Sequence, residues 1–412
     1  LAAPCSVSAA EKTTLTFWHA MGGTNGEVLQ QIVDDFNASQ DEIEIKAEYQ
    51  GTYDDTITKL KAAMQSDSGL PDVCQMYDVG TKFMYDSGSV IPVEDKFEST
   101  GYDKSSVMDV ISSYYTVDGK QYAMPFNVST PMLYYNKDVF EAAGLDPETP
   151  PTTYDEVLED AKKIVESGAA PVGYSQAIYG WFFEQQLAGL GVTYGNNDNG
   201  RKEAVTAVDF DSNGGGLKVF DMWKKLYDSG YFEDYGTTTA DTQTAFFSGQ
   251  VGMIIESTAI LKNAVDSSPF EVGTGYLPRI EQNDEGGVII GGGSLWLTDT
   301  GNETNEDAAW KFIEYITTPD VQAKWSMGTG YFAINEKAYE TEDMKAYLKE
   351  NPNFETAINQ LKDSPVNCNT AGVLSGVQTE ARLTFNEIMP QVYDGKLTTQ
   401  DAVDQLAASV NK

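Results

Sequence analysis

The hydrophobic pattern of the first part of the chain alternates between a two-residue and a helical period. Short alternating stretches predict strands at Leu15–Phe17, Ile43–Ala47 and Pro71–Tyr77. Between them, apolar residues recur at helical spacing from Val28 to Phe36 and over Tyr53–Met64. The glycine-rich stretch Gly22–Gly26 is typical of a turn between the first strand and its helix. This order predicts a parallel sheet with helices on its faces and ligands beyond the carboxyl ends of the strands.

The same rhythm restarts in the middle of the chain. Further strands are predicted at Met132–Tyr135, Pro171–Tyr174, Val251–Ile255 and Val288–Trp296. Further helices are predicted at Tyr154–Ser167, Leu217–Ser229, Asn305–Thr317, Val377–Met389 and Gln400–Val410. Pro390 and Gly395 separate the last two helices. The pattern therefore predicts the α/β class with two α/β units in series.

Length and charge narrow the class of protein. A chain of 412 residues is long enough for two or three domains. Its formal net charge of −36 repels nucleic acid and anionic membrane surfaces and favours a soluble monomer. No run of about 18 apolar residues occurs, so the sequence predicts no membrane span. A small-molecule partner is therefore expected rather than nucleic acid or membrane.

Candidate catalytic and metal-binding residues are scarce. The only histidine is His19, and Cys5, Cys74 and Cys368 lack metal-ligand spacing. No nucleophile-elbow motif accompanies His19, which we expect to pack or to make a hydrogen bond. The sequence thus predicts a non-enzyme with no metal and no cofactor. Cys5 lies in a small polar leader typical of exported proteins and is either a lipid-bearing cysteine or part of residual signal sequence.

Aromatic residues beside glycine or polar residues indicate more about the class of ligand. They are Trp18, Tyr53, Tyr77, Tyr179, Trp181 and Tyr331. Flat rings beside hydroxyls, amides and carboxylates suit a sugar or polyol, although each ring is as readily a core residue. Gly291–Gly293 lacks the lysine of a phosphate loop, so these glycines indicate close backbone approach to a ligand or to a neighbouring segment.

Several motifs resemble those of the extracellular solute-binding proteins of ABC importers, in the carbohydrate-binding family that includes maltose-binding protein. They are FWHAMGG (Phe17–Gly23), YDVGTKFM (Tyr77–Met84), MPFNVSTPMLYYNKDVFEAAGLDP (Met124–Pro147), IIGGGSLW (Ile289–Trp296) and TGYFAINEKAY (Thr329–Tyr339). The chain is most similar to the subgroup that binds glycerol-3-phosphate. The resemblance covers residues from about Thr14 to the end of the chain.

The resemblance implies a two-lobed periplasmic-binding-protein fold of type II, with a ligand cleft between the lobes and hinge crossings that let them close. The implied division is a leader at residues 1–13, an N-terminal lobe of 14–126 plus 276–331, and a C-terminal lobe of 127–275 plus 332–412. Crossings are expected near Phe126–Thr130, Gly273–Leu277 and Gly330–Asn335.

The resemblance also implies a set of ligand contacts. By position the polyol contacts of the subgroup match Tyr53, Asp78, Ser129, Trp181, Ser257 and Tyr331. The full expected set adds Trp18, His19, Tyr179, Gly292, Gly293 and Arg382. Leu374 stands where the subgroup has the arginine that grips phosphate, and Arg382, about two helical turns on, is the candidate replacement. This loss counts against a phosphate ligand.

The expected function is therefore capture of a sugar or short oligosaccharide and its delivery to an ABC permease. We expect it to act outside the cytoplasm, in the periplasm or at the cell surface, with lipid anchoring at Cys5 left open. The alternative ligands are glycerol-3-phosphate or a glycerophosphodiester such as glycerophosphocholine, because an aromatic, acidic site also suits a choline cation. Two other classes remain: a glycoside hydrolase, and a surface adhesin or scavenging lipoprotein without a permease.

Overall fold

The chain was analysed as a computed structural model that describes residues 12–66 and 69–411. Twelve strands lie within these residues. They are β1 (Thr13–His19), β2 (Ile43–Tyr49), β3 (Val73–Tyr77), β4 (Val90–Ile91), β5 (Thr116–Val117), β6 (Lys120–Gln121), β7 (Met124–Ser129), β8 (Pro131–Asn136), β9 (Val172–Ser175), β10 (Val251–Ser257), β11 (Val272–Gly275) and β12 (Gly291–Thr298).

Eighteen α-helices lie within the same residues. They are α1 (Gly23–Ser39), α2 (Tyr53–Met64), α3 (Thr81–Ser87), α4 (Val93–Thr100), α5 (Asp109–Ser112), α6 (Lys137–Ala142), α7 (Tyr154–Ser167), α8 (Gly180–Gly189), α9 (Asn196–Gly200), α10 (Gly215–Asp228), α11 (Thr239–Phe247), α12 (Leu261–Ser267), α13 (Glu303–Ile316), α14 (Pro319–Thr329), α15 (Glu342–Glu350), α16 (Asn353–Asp363), α17 (Gln378–Tyr393) and α18 (Thr399–Val410). Within the described residues, none of them combines the length and apolar character that a bilayer crossing needs.

The first sheet has the order β2-β1-β3-β12-β4, and β7 also pairs with β12. Strand β1 runs parallel to both β2 and β3, which confirms the parallel βαβαβ unit predicted at the start of the chain. Strand β12 comes from much later in the chain and joins this sheet in antiparallel orientation. The carboxyl ends of β1 and β3 therefore lie at one edge, with the glycine-rich start of β12 beside them.

The second sheet has the order β11-β8-β10-β9. Strands β9 and β10 are parallel, whereas β8 is antiparallel to its neighbours β10 and β11. Only Thr130 separates β7 in the first sheet from β8 in the second, and the chain returns from β11 to β12 through residues 276–290. The third predicted crossing also lies beside β7, since the Phe332 N–H bonds to the Val128 carbonyl at 2.9 Å. The chain thus moves between the sheets near the predicted crossings, while the residue boundaries of the lobes stay a prediction.

Two predicted boundaries are wrong, each for a local reason. Helix α1 already begins at Gly23, because the Gly26 N–H bonds to the Gly22 carbonyl at 3.1 Å. A Cβ at Gly26 would lie 2.6 Å from the Met21 carbonyl oxygen, so this glycine serves close approach inside a helix. Pro390 lies inside α17 rather than after it. The buried residues around it pack against α18, and this packing outweighs the single backbone hydrogen bond that proline removes.

Two of the three cysteines lie within the described residues. Cys74 is a buried free thiol, and Cys368 is a partly buried free thiol. Burial raises the pKa of Cys74 to about 12, so this thiol is inert. Cys5, the candidate lipid-bearing residue, lies outside the described residues.

A single arginine ties three distant segments together. Arg201 donates from Nη1 to the Tyr114 carbonyl at 2.7 Å and from Nε to the Gly372 carbonyl at 3.1 Å. Its Nη2 also donates to the carbonyls of Ala371 and Gly372. Its guanidinium carbon lies 5.2 Å from the centroid of the Tyr114 ring. Partial burial lowers the pKa of Arg201 to about 10, and the carbonyls supply the polar contacts that this partly buried cation needs.

We expect Arg201→Met to lower the free energy of unfolding by about 2–4 kcal/mol, because three carbonyls lose a charged donor. Arg201→Lys is the matched variant: it keeps the charge but loses the planar fork, so its loss should be intermediate. Urea unfolding followed by circular dichroism measures both changes. Equal stability of the Met variant and the parent chain would contradict this account.

Candidate ligand-binding site

The site is organised by the packing of α8 against α17. Gly180 and Glu184 are one helical turn apart on α8, and Arg382 and Asn386 are one turn apart on α17, so each pair shares a face. A Cβ at Gly180 would lie 2.5 Å from the Cα of Arg382, so glycine permits this close approach. The Gly180 N–H donates to Asn386 Oδ1 at 3.0 Å. The two helices therefore hold Glu184 and Arg382 against each other.

Arg382 makes two charge-assisted contacts at once. Its Nε donates to Glu184 Oε1 at 2.6 Å and its Nη2 to Glu184 Oε2 at 2.8 Å. On its other side, Nη2 donates to Asp78 Oδ2 at 2.8 Å. Gln378 Nε2 is a third donor to this carboxylate and bonds to Oε1 at 2.6 Å. Asp78 follows β3 of the first sheet, whereas α8 and α17 share a hydrophobic core with the second sheet. This contact therefore joins two halves of the molecule, one built on each sheet.

The electrostatics of this cluster follow from its burial. Asp78, Glu184 and Arg382 are all less than 10% exposed. Burial alone would lower the pKa of Arg382, but Asp78 and Glu184 outweigh it and raise that pKa well above its usual value. One positive and two negative formal charges leave the cluster with one net negative charge. It therefore offers carboxylate acceptors rather than a free cation.

A second network joins side chains of β3, β7 and α2 at the end of the first sheet. Gln75 Oε1 accepts from the Ala20 N–H at 2.8 Å, and Gln75 Nε2 donates to Asn127 Oδ1 at 2.6 Å. Asn127 Nδ2 donates to the Tyr53 hydroxyl at 2.7 Å. Burial raises the pKa of Tyr53, and the neighbouring Tyr331 raises it further, so both phenols stay protonated. Amide and phenol groups thus lie close together beside Asp78.

The three glycines of β12 make close backbone contacts with neighbouring segments. A Cβ at Gly292 would lie 1.9 Å from the Asn127 carbonyl oxygen, and one at Gly293 would lie 2.7 Å from Asn127 Oδ1. A Cβ at Gly291 would lie 2.7 Å from Cζ2 of Trp181. These glycines therefore approach neighbouring segments closely, while the predicted ligand contacts of Gly292 and Gly293 stay a prediction.

Aromatic rings surround these polar groups. The Tyr179 and Trp181 rings lie 6.1 Å apart, and those of Tyr53 and Tyr77 stack at 5.2 Å with an interplanar angle of 9°. Tyr331 stacks on Trp325 with centroids 5.7 Å apart. Burial raises the pKa of Tyr179 to about 12. Trp181 Nε1 is buried and has no hydrogen-bond partner among the described residues. This indole N–H is therefore a buried donor left without a partner among those residues, beside Gly291 at the start of β12.

The two predicted serines lie beside the crossing between the sheets. Ser129 ends β7 and pairs in register with Gly291. Ser257 ends β10, and its hydroxyl accepts the Ala259 N–H at 3.1 Å. The next residue, Thr258, bonds through its hydroxyl to the Thr130 N–H at 3.1 Å. Both serines are thus close to the segment that joins the two sheets.

Trp18 and His19 make their contacts within the first sheet and the loop that follows β1. Trp18 Nε1 donates to Glu48 Oε2 at 2.9 Å on the outer part of the first sheet. The His19 ring lies 5.5 Å from Phe17 and 6.0 Å from Tyr49, and its Nδ1 accepts the Met21 N–H at 3.3 Å. No hydrogen bond or ring contact recorded for residues 12–66 and 69–411 joins either side chain to the Arg382 cluster. His19 packs and orients the following loop, and a ligand contact for both residues stays a prediction.

Sequence reasoning missed Glu184, Gln378, Asn127 and Gln75. A signal existed for Glu184, since the stretch GWFFEQQLAG is buried on nearly every side and a carboxylate there requires a cationic partner. A cavity of about 540 Å³ lies elsewhere, between residues 274–280, 286–288 and the end of α16. It is lined by none of the predicted ligand residues, so it is separate from this cluster.

Comparison with known sequences finds a matching protein family and relatives that cover most of the chain. Residues 31–356 match the family described as bacterial extracellular solute-binding protein. The sn-glycerol-3-phosphate-binding periplasmic protein UgpB of Escherichia coli K12 is 31% identical over 399 residues, which cover 95% of this chain and 90% of that protein. Its counterpart in Yersinia pseudotuberculosis is 31% identical over 406 residues, which cover 97% of this chain and 92% of that protein.

Solved structures share the whole fold. The cyclic alpha-maltosyl-1,6-maltose binding protein of Arthrobacter globiformis superposes with a TM-score of 0.80 at 26% identity, covering 97% of this chain and 98% of that one. UgpB of Mycobacterium tuberculosis in complex with glycerophosphocholine gives a TM-score of 0.82 at 20% identity, with the same coverage. The expected two-lobed binding-protein fold is confirmed.

The buried histidine predicts a pH dependence of stability. Burial lowers the pKa of His19 from 6.5 to about 4, so the folded chain keeps it neutral where the unfolded chain protonates it. The free energy of unfolding should therefore fall by about 1–3 kcal/mol as the pH drops from about 6.5 towards 4. His19→Gln removes this term, and urea titrations at pH about 7 and about 4.5 should show a smaller loss for the variant. Identical pH dependence of the two proteins would contradict it.

Gly291→Ala should displace the Trp181 indole, because the new Cβ overlaps the ring. We expect a loss of about 1–3 kcal/mol in unfolding free energy and an altered near-UV circular dichroism spectrum. Gly189→Ala is the matched control, since its Cβ meets nothing within 4 Å and alanine favours the helix. Equal behaviour of the two variants would show that Gly291 does not fix this ring.

Proposed function

We propose that this chain, which belongs to the bacterial extracellular solute-binding protein family, captures a neutral sugar or short oligosaccharide and delivers it to the permease of an ABC importer. Members of this family work outside the cytoplasm and bind solutes for transport rather than transform them. The observation that carries the choice of ligand is the engagement of Arg382 by two carboxylates.

A phosphate ligand requires either an arginine whose parallel N–H donors are free or several aligned N–H donors from other groups. Leu374, where the resembling subgroup has arginine, is buried and apolar, and its N–H already bonds to the Asn199 carbonyl at 2.8 Å. Arg382, the candidate replacement, is paired on both sides. The net charge of −36 further opposes the approach of an anion. These features favour an uncharged solute.

The remaining groups suit a carbohydrate. Ring faces such as those of Tyr179 and Trp181 stack on the CH surfaces of sugars, while carboxylates and amides pair with hydroxyls. Asp78 and Asn127 supply such partners from the first half, and the Trp181 indole N–H supplies a donor from the second. Each unpaired hydroxyl in a dry cleft is costly, so specificity depends on these polar groups.

Capture works through closure of the two halves. Asp78 meets Arg382, and the Tyr77 hydroxyl lies 3.3 Å from Thr379 Oγ1 of α17, so the two halves touch on the ligand side. A solute that contacts both halves stabilises the closed arrangement by its differential affinity for it. The closed arrangement is then the form that the permease recognises.

Glycerol-3-phosphate or a glycerophosphodiester is the second candidate, favoured by relatives that are named for glycerol-3-phosphate. Glycerophosphocholine is the better of the two, because its choline cation suits aromatic rings near a net negative cluster. Its phosphodiester would then need donors other than Arg382.

A thermal-shift screen of the purified protein tests the ligand class. We expect a raised midpoint with mono-, di- or oligosaccharides and none with glycerol-3-phosphate or glycerophosphocholine, because a ligand that binds only the folded state stabilises it by mass action. A shift with either phosphate compound and none with sugars would overturn the sugar assignment and leave the family membership intact. Cleavage of a bound oligosaccharide by pure protein would instead establish an enzyme.

A further inference from the structure

We propose that Glu184 is a specificity-determining residue that excludes anionic solutes by occupying the edge of Arg382 that an anion would bind. The inference rests on the proposed binding function of this site and names the residue that sets its ligand class. Glu184 contacts no predicted ligand residue except Arg382 among the side-chain hydrogen bonds of the described residues. It acts through the arginine.

The geometry of the pair carries the argument. Phosphate and carboxylate groups bind an arginine best through two parallel N–H donors on one edge of the guanidinium. On Arg382 the Nε and Nη2 edge is taken by both oxygens of Glu184, at 2.6 and 2.8 Å. A solute phosphate would have to displace a carboxylate that already has the same geometry and a negative charge.

This pairing does not depend on closure of the molecule. Glu184 and Arg382 lie on α8 and α17, which are fixed to each other by the Gly180 contact and the Gly180–Asn386 hydrogen bond. Gln378, on the same face of α17, holds Glu184 from a third side. Asp78 belongs to the other half and reaches Arg382 only where the halves meet. The Nε and Nη2 donors of Arg382 are therefore occupied before a solute arrives. Closure adds a second carboxylate, that of Asp78.

Neutralising Glu184 should reverse the selectivity. Glu184→Gln keeps the size and the acceptor oxygen but removes the charge, leaving the cluster formally neutral, so that a solute anion competes with an uncharged amide for the Nε and Nη2 donors of Arg382. Isothermal titration with glycerol-3-phosphate should show binding at least about tenfold tighter than for the parent chain, and weaker at high salt. Titration with glycerol, the uncharged analogue, should show no comparable gain, because glycerol carries no charge for the released donors to bind.

Glu380→Gln is the matched control. Glu380 lies on α17 two residues before Arg382, is exposed and faces away from the cluster, so the same substitution changes the net charge equally without releasing the arginine. We expect no gain in glycerol-3-phosphate binding. An equal gain in both variants would assign the effect to net charge and overturn the role of Glu184.

The other possible results also test the role of Glu184. No gain in folded Glu184→Gln overturns the inference, while sugar shifts of the parent chain would leave the proposed function standing. Tight glycerol-3-phosphate binding by the parent chain overturns both. If Glu184→Gln does not fold, Asp78→Asn replaces it, because it removes the second carboxylate from the same guanidinium; a gain supports anion exclusion by the pair, and no gain overturns it.

Discussion

The charge of the buried Arg382 is neutralised by two carboxylates, and the architecture of the ligand side depends on this ion cluster. Leaving such a cation unpaired would be strongly destabilising. One carboxylate, Glu184, comes from the helix packed against its own, and the other, Asp78, comes from the end of a strand in the opposite half. The same ion cluster therefore fixes α8 against α17 and brings the two halves together. Around it the aromatic and amide groups are positioned by backbone approach at the glycines of β12.

Local signals explain why many elements could be predicted. Helices α2 and α7 match their predicted bounds because capping boxes, Thr52 with Asp55 and Thr153 with Glu156, fix where they begin. Gly168 in a left-handed conformation ends α7. The parallel first sheet follows from hydrophobic periods of two and 3.6 residues. Where prediction of a boundary was wrong, at Gly23 and Pro390, tertiary packing or close approach outweighed the local preference of glycine or proline.

The site was less predictable because its defining contacts join residues far apart in sequence. Glu184 and Arg382 are 198 residues apart, and Asp78 and Arg382 are 304 apart. Arg382 was predicted as a ligand residue because the arginine of the resembling subgroup is missing at Leu374 and Arg382 lies about two helical turns further on. Its neutralisation by Glu184 depends on helix packing that no local pattern encodes. Asn127 lay inside a quoted motif, yet its role in joining Gln75 to Tyr53 depends on three separate strands and helices.

Overall similarity and ligand class are therefore separate properties of this chain. Relatives named for glycerol-3-phosphate and a neighbour named for a cyclic maltoside share most of its length or its whole fold. A backbone that accommodates both kinds of solute does not choose between them, because the choice is an electrostatic difference confined to a few side chains. Here those side chains place two carboxylates on one buried guanidinium. An anion must compete with both for the same donors, whereas a hydroxyl can pair with a carboxylate oxygen without displacing the arginine. We therefore propose that the ion cluster that joins Asp78 to Arg382 favours uncharged solutes.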